Sequence, residues 1–427
     1  MQIPRMVWPL LAIAMLTGAP AFAQGPVPEV AEFFDDTVLH EIRLTLNPRD
    51  WSELKANFQL NDYYPAHFTW RGITVRNIGI RSRGTGSRSG EKPGLRVDFD
   101  HYEQRQRFLG LKSVVLRNNV QDPSHLHERL SMKLYTRLGM PASRVAHVKV
   151  LVNGEYAGLY TIVESVDKIF LERHYGESDG YLYKYDYDGD DQPHYLEYLG
   201  EDPSQYSPEP FQPETHELDP DPQPLVELMR AIEQASDSDF QARVGAYVDL
   251  RQFMIHVAVE TFLADTDGML GNWGVNNFYF YRLQNRSLSI FIPWDKSEAF
   301  KGGVEHGIWH NVYDVPSWLR NRLMSRAERF HELRDVYLDA LLACADLVLA
   351  TAPGEGAGDS PALEGTAAIG WLESEIVRGY QQIRLAVQED PVKPFSDDVF
   401  EASVGELVAF ARSRSEFVRG DVARSRR

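Results

Sequence analysis

Residues 265–295 concentrate carboxylate and carboxamide side chains around two runs of aromatic and apolar residues. Asp267 and Asn277 precede the first run, and Asp295 follows the second. Because the two strands of a hairpin place their ends side by side, we expect these three side chains to meet at one end of a sheet. Oxygen ligands gathered in this way suit Mg²⁺ and the phosphates it carries. A hairpin whose Asp and Asn residues only form turns is the alternative.

A glycine-bearing loop rich in arginine, residues 81–90, lies between two predicted strands. Arg83 and Ser87 offer hydrogen-bond donors, and Gly84 allows the backbone to approach phosphate oxygens closely. These features resemble a phosphate-binding loop only loosely. The alternative interpretation is a flexible hairpin tip.

Two charged residues near this loop could complete a phosphate site. Lys92 begins the next predicted strand, where its ammonium could reach the α or β phosphate. Glu128 lies in a helix that we expect to begin at Asp122 and Pro123, and it could hold Lys92 in place. Glu128 is off the leucine stripe of that helix, so exposure to solvent is the alternative.

Two further acidic features each have more than one interpretation. Glu164 ends a predicted strand and could either line the connection between two lobes or cap the helix that follows. The acidic run 186–191 suggests Ca²⁺, but its glycine is the fourth residue rather than the sixth that an EF-hand loop requires. We therefore expect a solvated acidic loop there.

Charge and motif content argue against several classes of function. The net charge of -18 argues against general nucleic-acid binding, because phosphate contacts need a basic surface. A basic protein partner fits this charge better. The sequence contains neither an H-E-x-x-H nor a G-x-x-x-x-G-K-[ST] motif, so the usual zinc-protease and P-loop interpretations lose their main support.

Hydrophobic periodicity divides the chain into strand-rich and helical parts. Alternation with period two favours strands over residues 37–165, which we expect to form a β-rich lobe. Residues 166–349 combine helical patterns with the hairpin and are expected to form a second lobe, and residues 366–427 a C-terminal helical extension. This order indicates an α+β fold with a cleft between two lobes.

The first 23 residues have the features of a secretory signal peptide. Arg5 precedes an apolar run, and Ala-Phe-Ala ends at Ala23, an expected cleavage site. We therefore expect an exported protein, either periplasmic or secreted. Nothing later in the sequence approaches the roughly 18 apolar residues of a membrane span. Cys344 lies in an apolar helical run and is expected to be a buried small hydrophobe.

Six segments, in this order along the chain, resemble the CotH kinase family of secreted or spore-coat proteins. They are residues 81–87 (RSRGTGS) with Lys92, 122–130 (DPSHLHERL), 152–160 (VNGEYAGLY) with Glu164, 180–184 (GYLYK), 276–281 (NNFYFY) and 292–295 (IPWD). The combination is more specific than any one segment.

The resemblance implies a two-lobed, atypical protein-kinase-like α+β fold and ATP-dependent phosphorylation of Ser or Thr in proteins, with Mg²⁺ or Mn²⁺. It implies that Asp267 orients or deprotonates the attacking hydroxyl. The other implied roles are phosphate contacts from Arg83, Gly84, Ser87 and Lys92, pairing of Glu128 with Lys92, an adenine pocket bordered by Glu164, and metal ligation by Asp295 and Asn277.

Some of these roles have rival residues. Asp265 is a rival for the base, and Asn272 for the metal ligand, since Asp267 and Asn272 show the D-x-x-x-x-N spacing of kinase catalytic loops. The family usually has a second acid two residues after the Pro-Trp-Asp aspartate, where this chain has Ser297. A non-catalytic binding or surface-structural protein on the same scaffold, and a metal-dependent phosphohydrolase, therefore remain alternatives.

Overall fold

The computed structural model describes residues 28–186, 195–272, 274–317, 320–350, 362–363, 366–367 and 370–427. The expected signal peptide over residues 1–23 and most of the acidic run 186–191 lie outside the described residues.

The first part of the chain forms a closed barrel of seven strands, counted over the described residues. Its strands are β1 (His40–Leu46), β2 (Tyr64–Trp70), β3 (Ile73–Ser82), β4 (Leu95–Asp98), β5 (Ser113–Arg117), β6 (Val145–Val152) and β7 (Glu155–Glu164), in the order β1-β2-β3-β4-β5-β7-β6. Strict alternation in β1 buries Ile42 and Leu44 in the barrel core beside Phe68. Strand β6 pairs with β1 in parallel, which closes the sheet. The sequence predicts the strands but not this closure.

Three helices accompany the barrel: α1 (Pro28–Phe33), α2 (Pro48–Ala56) and α3 (His127–Arg137). Asn47 caps α2, since its side chain accepts a hydrogen bond from the Arg49 amide. Helix α3 follows β5 and is largely buried, with Leu130 and Leu134 fully buried in the larger core. This burial fixes the direction of the polar side chains in its first turn.

A second sheet lies in the following part of the chain. After α4 (Lys168–Tyr175), it contains β8 (Tyr181–Tyr185), β9 (Phe211–Pro213), β10 (Phe278–Arg282) and β11 (Ser289–Pro293), in the antiparallel order β11-β10-β8-β9. The predicted hairpin of β10 and β11 is confirmed, with Phe278 opposite Pro293. That register places Asn277 beside Trp294, whose amide donates to the Asn277 carbonyl over 3.2 Å.

Helices supply the remaining layers. Along the chain, β9 and β10 are separated by α5 (Gln223–Gln234), α6 (Phe240–Gly245) and α7 (Leu250–Phe262). The helices that follow β11 are α8 (Arg322–Ala327), α9 (His331–Leu349), α10 (Gly370–Gln388) and α11 (Asp397–Ser425). Two short strands, β12 (Ala362–Leu363) and β13 (Thr366–Ala367), pair with each other between α9 and α10. Helices α9, α10 and α11 pack together, and α10 also contacts β7 and α3. Cys344 is fully buried in their shared core, as predicted.

The chain is therefore of the mixed α+β class that its pattern predicts. Helices α10 and α11 belong to the same hydrophobic core as α7 and β10. Among the helices of the described residues, none combines the length and apolar character needed to cross a bilayer.

Candidate functional site

The C-terminus of α7 delivers the chain into the polar loop that precedes β10. Arg414 of α11 is fully buried and fixes this helix end. Its guanidinium donates to the carbonyl oxygens of Thr261 over 2.6 Å and Phe262 over 2.9 Å. A cation at this position also suits the negative end of the helix dipole. Asp265 and Asp267 follow within a few residues of this anchored end.

Asp265 belongs to a buried ion-pair cluster. The Lys296 ammonium lies 3.1 Å from Asp265 Oδ2 and 2.5 Å from Glu260 Oε1, and all three side chains are at most 2% exposed. Buried charges require partners of this kind. Burial raises the pKa of Asp265, and the neighbouring Glu260 adds to this effect while Lys296 opposes it. The structure thus gives Asp265 a pairing role, whereas Asp267 reaches a different set of partners.

Asp267 is held by two amide side chains. Asn276 Nδ2 donates to Asp267 Oδ1 over 3.1 Å, and Asn277 Nδ2 donates to Asp267 Oδ2 over 2.9 Å and to the Asp267 carbonyl over 2.8 Å. Burial raises the pKa of Asp267 to about 7, with contributions from the charges of Asp265 and Asp295. The Asp267 carboxyl is therefore fixed in orientation, and its pKa lies close to physiological pH.

Asp295 follows β11 and is surrounded by cations. Arg117 Nη1 lies 2.5 Å from Asp295 Oδ2, and Ser297 Oγ donates to Asp295 Oδ1 over 3.0 Å. Burial alone would raise the pKa of Asp295, but the charges of Arg117 and Arg83 outweigh it and lower this pKa to about 2. Asp295 is therefore ionised throughout the physiological range.

The hairpin register and these hydrogen bonds bring three predicted residues together. Asn277 bonds Asp267 directly and lies next to Trp294 across the β10–β11 pair, which places Asp295 at the same sheet end. Asp267 and Asn277 are therefore in contact, and Asp295 lies at the same end of the hairpin with its carboxylate against Arg117 and Ser297.

The predicted pairing of Lys92 with Glu128 is wrong. Lys92 Nζ donates to Asp390 Oδ2 over 2.7 Å, and both side chains are at most 1% exposed. Glu128 instead accepts the Lys296 amide over 2.6 Å, and its second oxygen lies 3.5 Å from Arg117 Nη2. The reason is that the turn after α10 brings Asp390 to Lys92, while α3 directs Glu128 toward the end of β5.

The loop of residues 81–90 approaches the same region through Arg83. The guanidinium of Arg83 lies over the Trp294 ring, with Cζ 5.7 Å from the centroid. Burial and the nearby Arg117 lower the pKa of Arg83 to about 10. Gly84 has φ +115, and a Cβ there would lie 2.5 Å from Ser87 Oγ. The loop conformation therefore requires glycine at position 84.

Glu164 is engaged by two arginines. Its carboxylate accepts from Arg144 Nη2 over 2.7 Å and from Arg173 Nη2 over 2.5 Å, and its side chain is 2% exposed. The predicted cap of the following helix is made by Asp167 instead, which accepts from the Ile169 amide over 2.9 Å. The adenine-pocket role of Glu164 stays a prediction.

The donor set suits a cation shared with phosphate oxygens. Within the described residues, no group of three or more His, Cys, Asp or Glu side chains is placed to hold a metal ion. Asp295 with the Asn277 amide would supply two oxygens, which is what Mg²⁺ commonly takes from protein when phosphates and water complete its shell. Arg83 and Arg117 would supply donors to those phosphates. The residues present therefore fit a metal–triphosphate group.

Sequence reasoning missed Arg117, Asp390 and Lys296. Arg117 carried a usable signal, because it is the charged end of the fully buried strand β5. Lys296 directly follows Asp295, so its place beside the hairpin end could also have been inferred. Asp390 carried no such signal, since only the tertiary packing of α10 brings it to Lys92.

A protein-family model described as "CotH kinase protein" matches residues 80–352, more than half of the chain. The chain belongs to the CotH family. The inner spore coat protein H of Bacillus subtilis (strain 168) is 24% identical over 377 residues, which cover 88% of this chain and 96% of that protein. The residues around Asp267 and Asp295 lie inside the matched part of this CotH-family chain, whereas Asp390 and Arg414 lie beyond residue 352.

Proposed function

We propose that this CotH-family chain transfers the γ-phosphoryl group of ATP to a Ser or Thr hydroxyl of a protein, with Mg²⁺ or Mn²⁺. One observation carries the proposal: Asp267, Asn277 and Asp295 converge at one end of the β10–β11 hairpin, beside the guanidinium of Arg117. Phosphoryl transfer asks the protein mainly for positioning and charge neutralisation, which this arrangement can supply.

Asp267 is the residue proposed to orient the attacking hydroxyl and to take its proton. Two hydrogen bonds from Asn276 and Asn277 fix both carboxylate oxygens, so the group is held in one orientation. A general base must lie within hydrogen-bond reach of the proton that it removes, and a fixed carboxylate meets that demand for a docked hydroxyl. Asp265 is a poorer base because its carboxylate is committed to Lys296.

Asp295 and the side-chain carboxamide oxygen of Asn277 are proposed to hold the metal. The nitrogen of that amide donates to Asp267, so its oxygen is the atom suited to a cation. A bound divalent metal would neutralise phosphate charge. Ser297 takes the place of the family's usual second acid and donates to Asp295, so the protein supplies fewer negative charges here.

We further propose that the barrel of β1 to β7 acts as the N-lobe of an atypical kinase-like fold and that the second sheet with its helices acts as the C-lobe. In this arrangement the loop of residues 81–90 covers the phosphates, and Glu164 borders the adenine pocket. The apolar run after Arg5 and the Ala-Phe-Ala sequence that ends at Ala23 support an exported protein. The net charge of -18 supports a basic protein substrate.

The second candidate is a non-catalytic binding or surface-structural protein on the same scaffold. The observation that favours it is the pairing of Asp295 with Arg117 at 2.5 Å, together with a serine at position 297. A carboxylate already neutralised by a guanidinium is a weaker metal ligand than a free one.

The deciding experiment incubates the purified chain with labelled ATP, Mg²⁺ or Mn²⁺, and basic acceptor proteins. We expect label on Ser or Thr, and loss of incorporation in Asp267→Asn and Asp295→Ala. Asp314→Ala is the matched control, because Asp314 is an exposed carboxylate that pairs only loosely with His310 at 3.6 Å. Absence of both incorporation and ATP binding by calorimetry would favour the binding protein. Release of free phosphate without protein labelling would favour a phosphohydrolase.

A further inference from the structure

Arg117 links two acidic residues of the candidate site, Asp295 and Glu128. It ends β5 and is buried, with a side chain that is 8% exposed. Nη1 lies 2.5 Å from Asp295 Oδ2, and Nη2 lies 3.5 Å from Glu128 Oε1. The guanidinium also lies over the Trp294 ring, 5.0 Å from its centroid. One cation therefore spans Asp295 on the hairpin and Glu128 on α3.

The hydrogen-bonding capacity of this group is only partly used. Within the described part of the chain, Nε and Nη2 of Arg117 and Oε1 of Glu128 are buried without a hydrogen-bond partner. The contact of Arg117 with Glu128 is within ion-pair range but too long for a strong hydrogen bond. Buried polar atoms rarely lack partners in native proteins, so donors left in this state point to a ligand. The N–H groups of these two guanidinium nitrogens match phosphate oxygens.

Lys92 is poorly placed to bind phosphate oxygens. Its ammonium is 1% exposed and is held by Asp390 at 2.7 Å, and it also faces the Tyr160 ring at 5.3 Å. Asp390 in turn accepts the Leu159 amide over 2.9 Å. Lys92 is therefore locked into the barrel wall, whereas Arg117 borders Asp295.

We propose that Arg117 is the residue that binds the triphosphate of the nucleotide, that Glu128 is its positioning residue, and that Arg117 competes with the metal ion for Asp295. The proposal rests on the proposed function, because it assigns a new residue to the same site. Its consequence is that the metal ion and the triphosphate bind cooperatively.

The charges explain the cooperativity. A divalent cation that approaches Asp295 alone meets the positive charges of Arg117 and Arg83 and must displace Arg117 from Oδ2. A triphosphate attracts both guanidinium groups and so releases Asp295 for the metal. Because coupling between two ligands is reciprocal, the metal must strengthen triphosphate binding by the same factor.

The role of Arg117 and the cooperativity are tested by calorimetric titration with tripolyphosphate and Mn²⁺, each alone and then together. We expect Arg117→Gln to weaken tripolyphosphate binding by about tenfold or more, as loss of a charge-assisted bidentate contact implies. The same variant should bind Mn²⁺ alone more tightly, by about threefold or more, since a competing cation is removed. Arg43→Gln is the matched control: Arg43 is exposed and pairs with Glu41 on the outside of the barrel. The control should leave both affinities unchanged.

Glu128 is tested by a double-mutant cycle. Glu128→Gln should weaken tripolyphosphate binding in the wild-type background and have little effect in the Arg117→Gln background, because it acts through Arg117. A merely structural role would give additive losses instead. Arg117→Lys keeps the charge without the planar fork, and we expect an intermediate affinity. It also keeps the test valid if thermal melting shows that Arg117→Gln does not fold.

Three results would overturn the assignment: tripolyphosphate that does not bind the wild-type chain, unchanged tripolyphosphate affinity in Arg117→Gln, or weaker Mn²⁺ binding in that variant. A failure of the proposed function looks different. If the affinities change in opposite directions as expected and no phosphoryl transfer to protein is detected, the Arg117 assignment stands and the kinase activity does not.

Discussion

Lys92 and Asp390 form a buried ion pair across 2.7 Å, although they are 298 residues apart in the sequence. Asp390 also accepts the amides of Leu159 over 2.9 Å and Val392 over 2.9 Å, so its carboxylate joins the barrel to the turn after α10. The last two helices are thereby connected to the wall of the barrel beside the loop of residues 81–90.

We expect Asp390→Ala to lower the free energy of unfolding by about 3–5 kcal/mol, because it leaves the Lys92 ammonium buried without its partner. The neighbouring exposed pair of Lys149 with Glu389 provides the control. Glu389→Ala should change stability by less than about 1 kcal/mol. Urea unfolding followed by far-UV circular dichroism gives both values, and equal losses in the two variants would refute the structural role of the buried pair.

The double variant Lys92→Met with Asp390→Leu refines this prediction. Replacing both charges with apolar side chains removes the uncompensated cation, so we expect a smaller loss than in Asp390→Ala alone. A double variant as unstable as the single one would show that the hydrogen bonds from Leu159 and Val392 matter more than the ion pair.

Local patterns were enough to predict the β10–β11 hairpin and the convergence at its end. Two runs of aromatic and apolar residues with a turn between them define the two strands, and hairpin geometry then places Asn277 near Asp295. The barrel closure was not predicted, because the parallel pairing of β1 with β6 joins segments about a hundred residues apart. Periodicity reports which face of a strand is buried and says nothing of which strand lies beside it.

The environment of Glu128 also depends on distant segments that periodicity does not identify. Its position off the leucine stripe favoured solvent exposure as the alternative, but the residue is 4% exposed. The Lys296 amide and the Arg117 guanidinium cover it from two other parts of the chain. The leucine stripe identifies only the face of α3 that packs against one core, whereas this helix is buried on more than one side.

Arg414 anchors the helix end from which the Asp267 loop begins, so we expect Arg414→Met to reduce both stability and phosphoryl transfer. The guanidinium donates to the carbonyls of Thr261, Phe262, Val304 and His306. Leaving these buried acceptors without donors should cost at least about 3 kcal/mol of unfolding free energy. Arg419→Met is the control on the same helix, since Arg419 is 46% exposed. Thermal melting of both variants measures the difference, and similar melting temperatures would contradict the anchoring role.

The glycine at position 84 offers a test of the loop that lies beside Trp294. Gly84→Ala places a Cβ 2.5 Å from Ser87 Oγ at φ +115, so the loop must rearrange, at a cost of about 1–3 kcal/mol. We expect weaker ATP binding with little change in the melting temperature, because the loop is partly exposed. Gly86→Ala is the control in the same loop, where the nearest atom to an added Cβ is 3.6 Å away. Calorimetry that finds equal ATP affinities for both variants would exclude the loop from the nucleotide site.

Ser297 is the position at which this chain departs from the usual CotH pattern, and Ser297→Asp restores a second acid there. Ser297 Oγ now donates to Asp295 Oδ1 over 3.0 Å, so a carboxylate in its place would lie within a few ångströms of the first. Two adjacent carboxylates repel each other and hold a divalent cation more strongly than one does. We therefore expect tighter Mn²⁺ binding together with a lower melting temperature in the presence of a chelator. Ser297→Asn, which has the same shape without the charge, separates the effect of charge from that of size. Because the added charge acts through the metal, Mn²⁺ should raise the melting temperature of Ser297→Asp more than that of Ser297→Asn. Equal responses of the two variants would show that a carboxylate beside Asp295 adds nothing to metal binding, and the absence of any Mn²⁺ response in both would exclude Asp295 as a metal ligand.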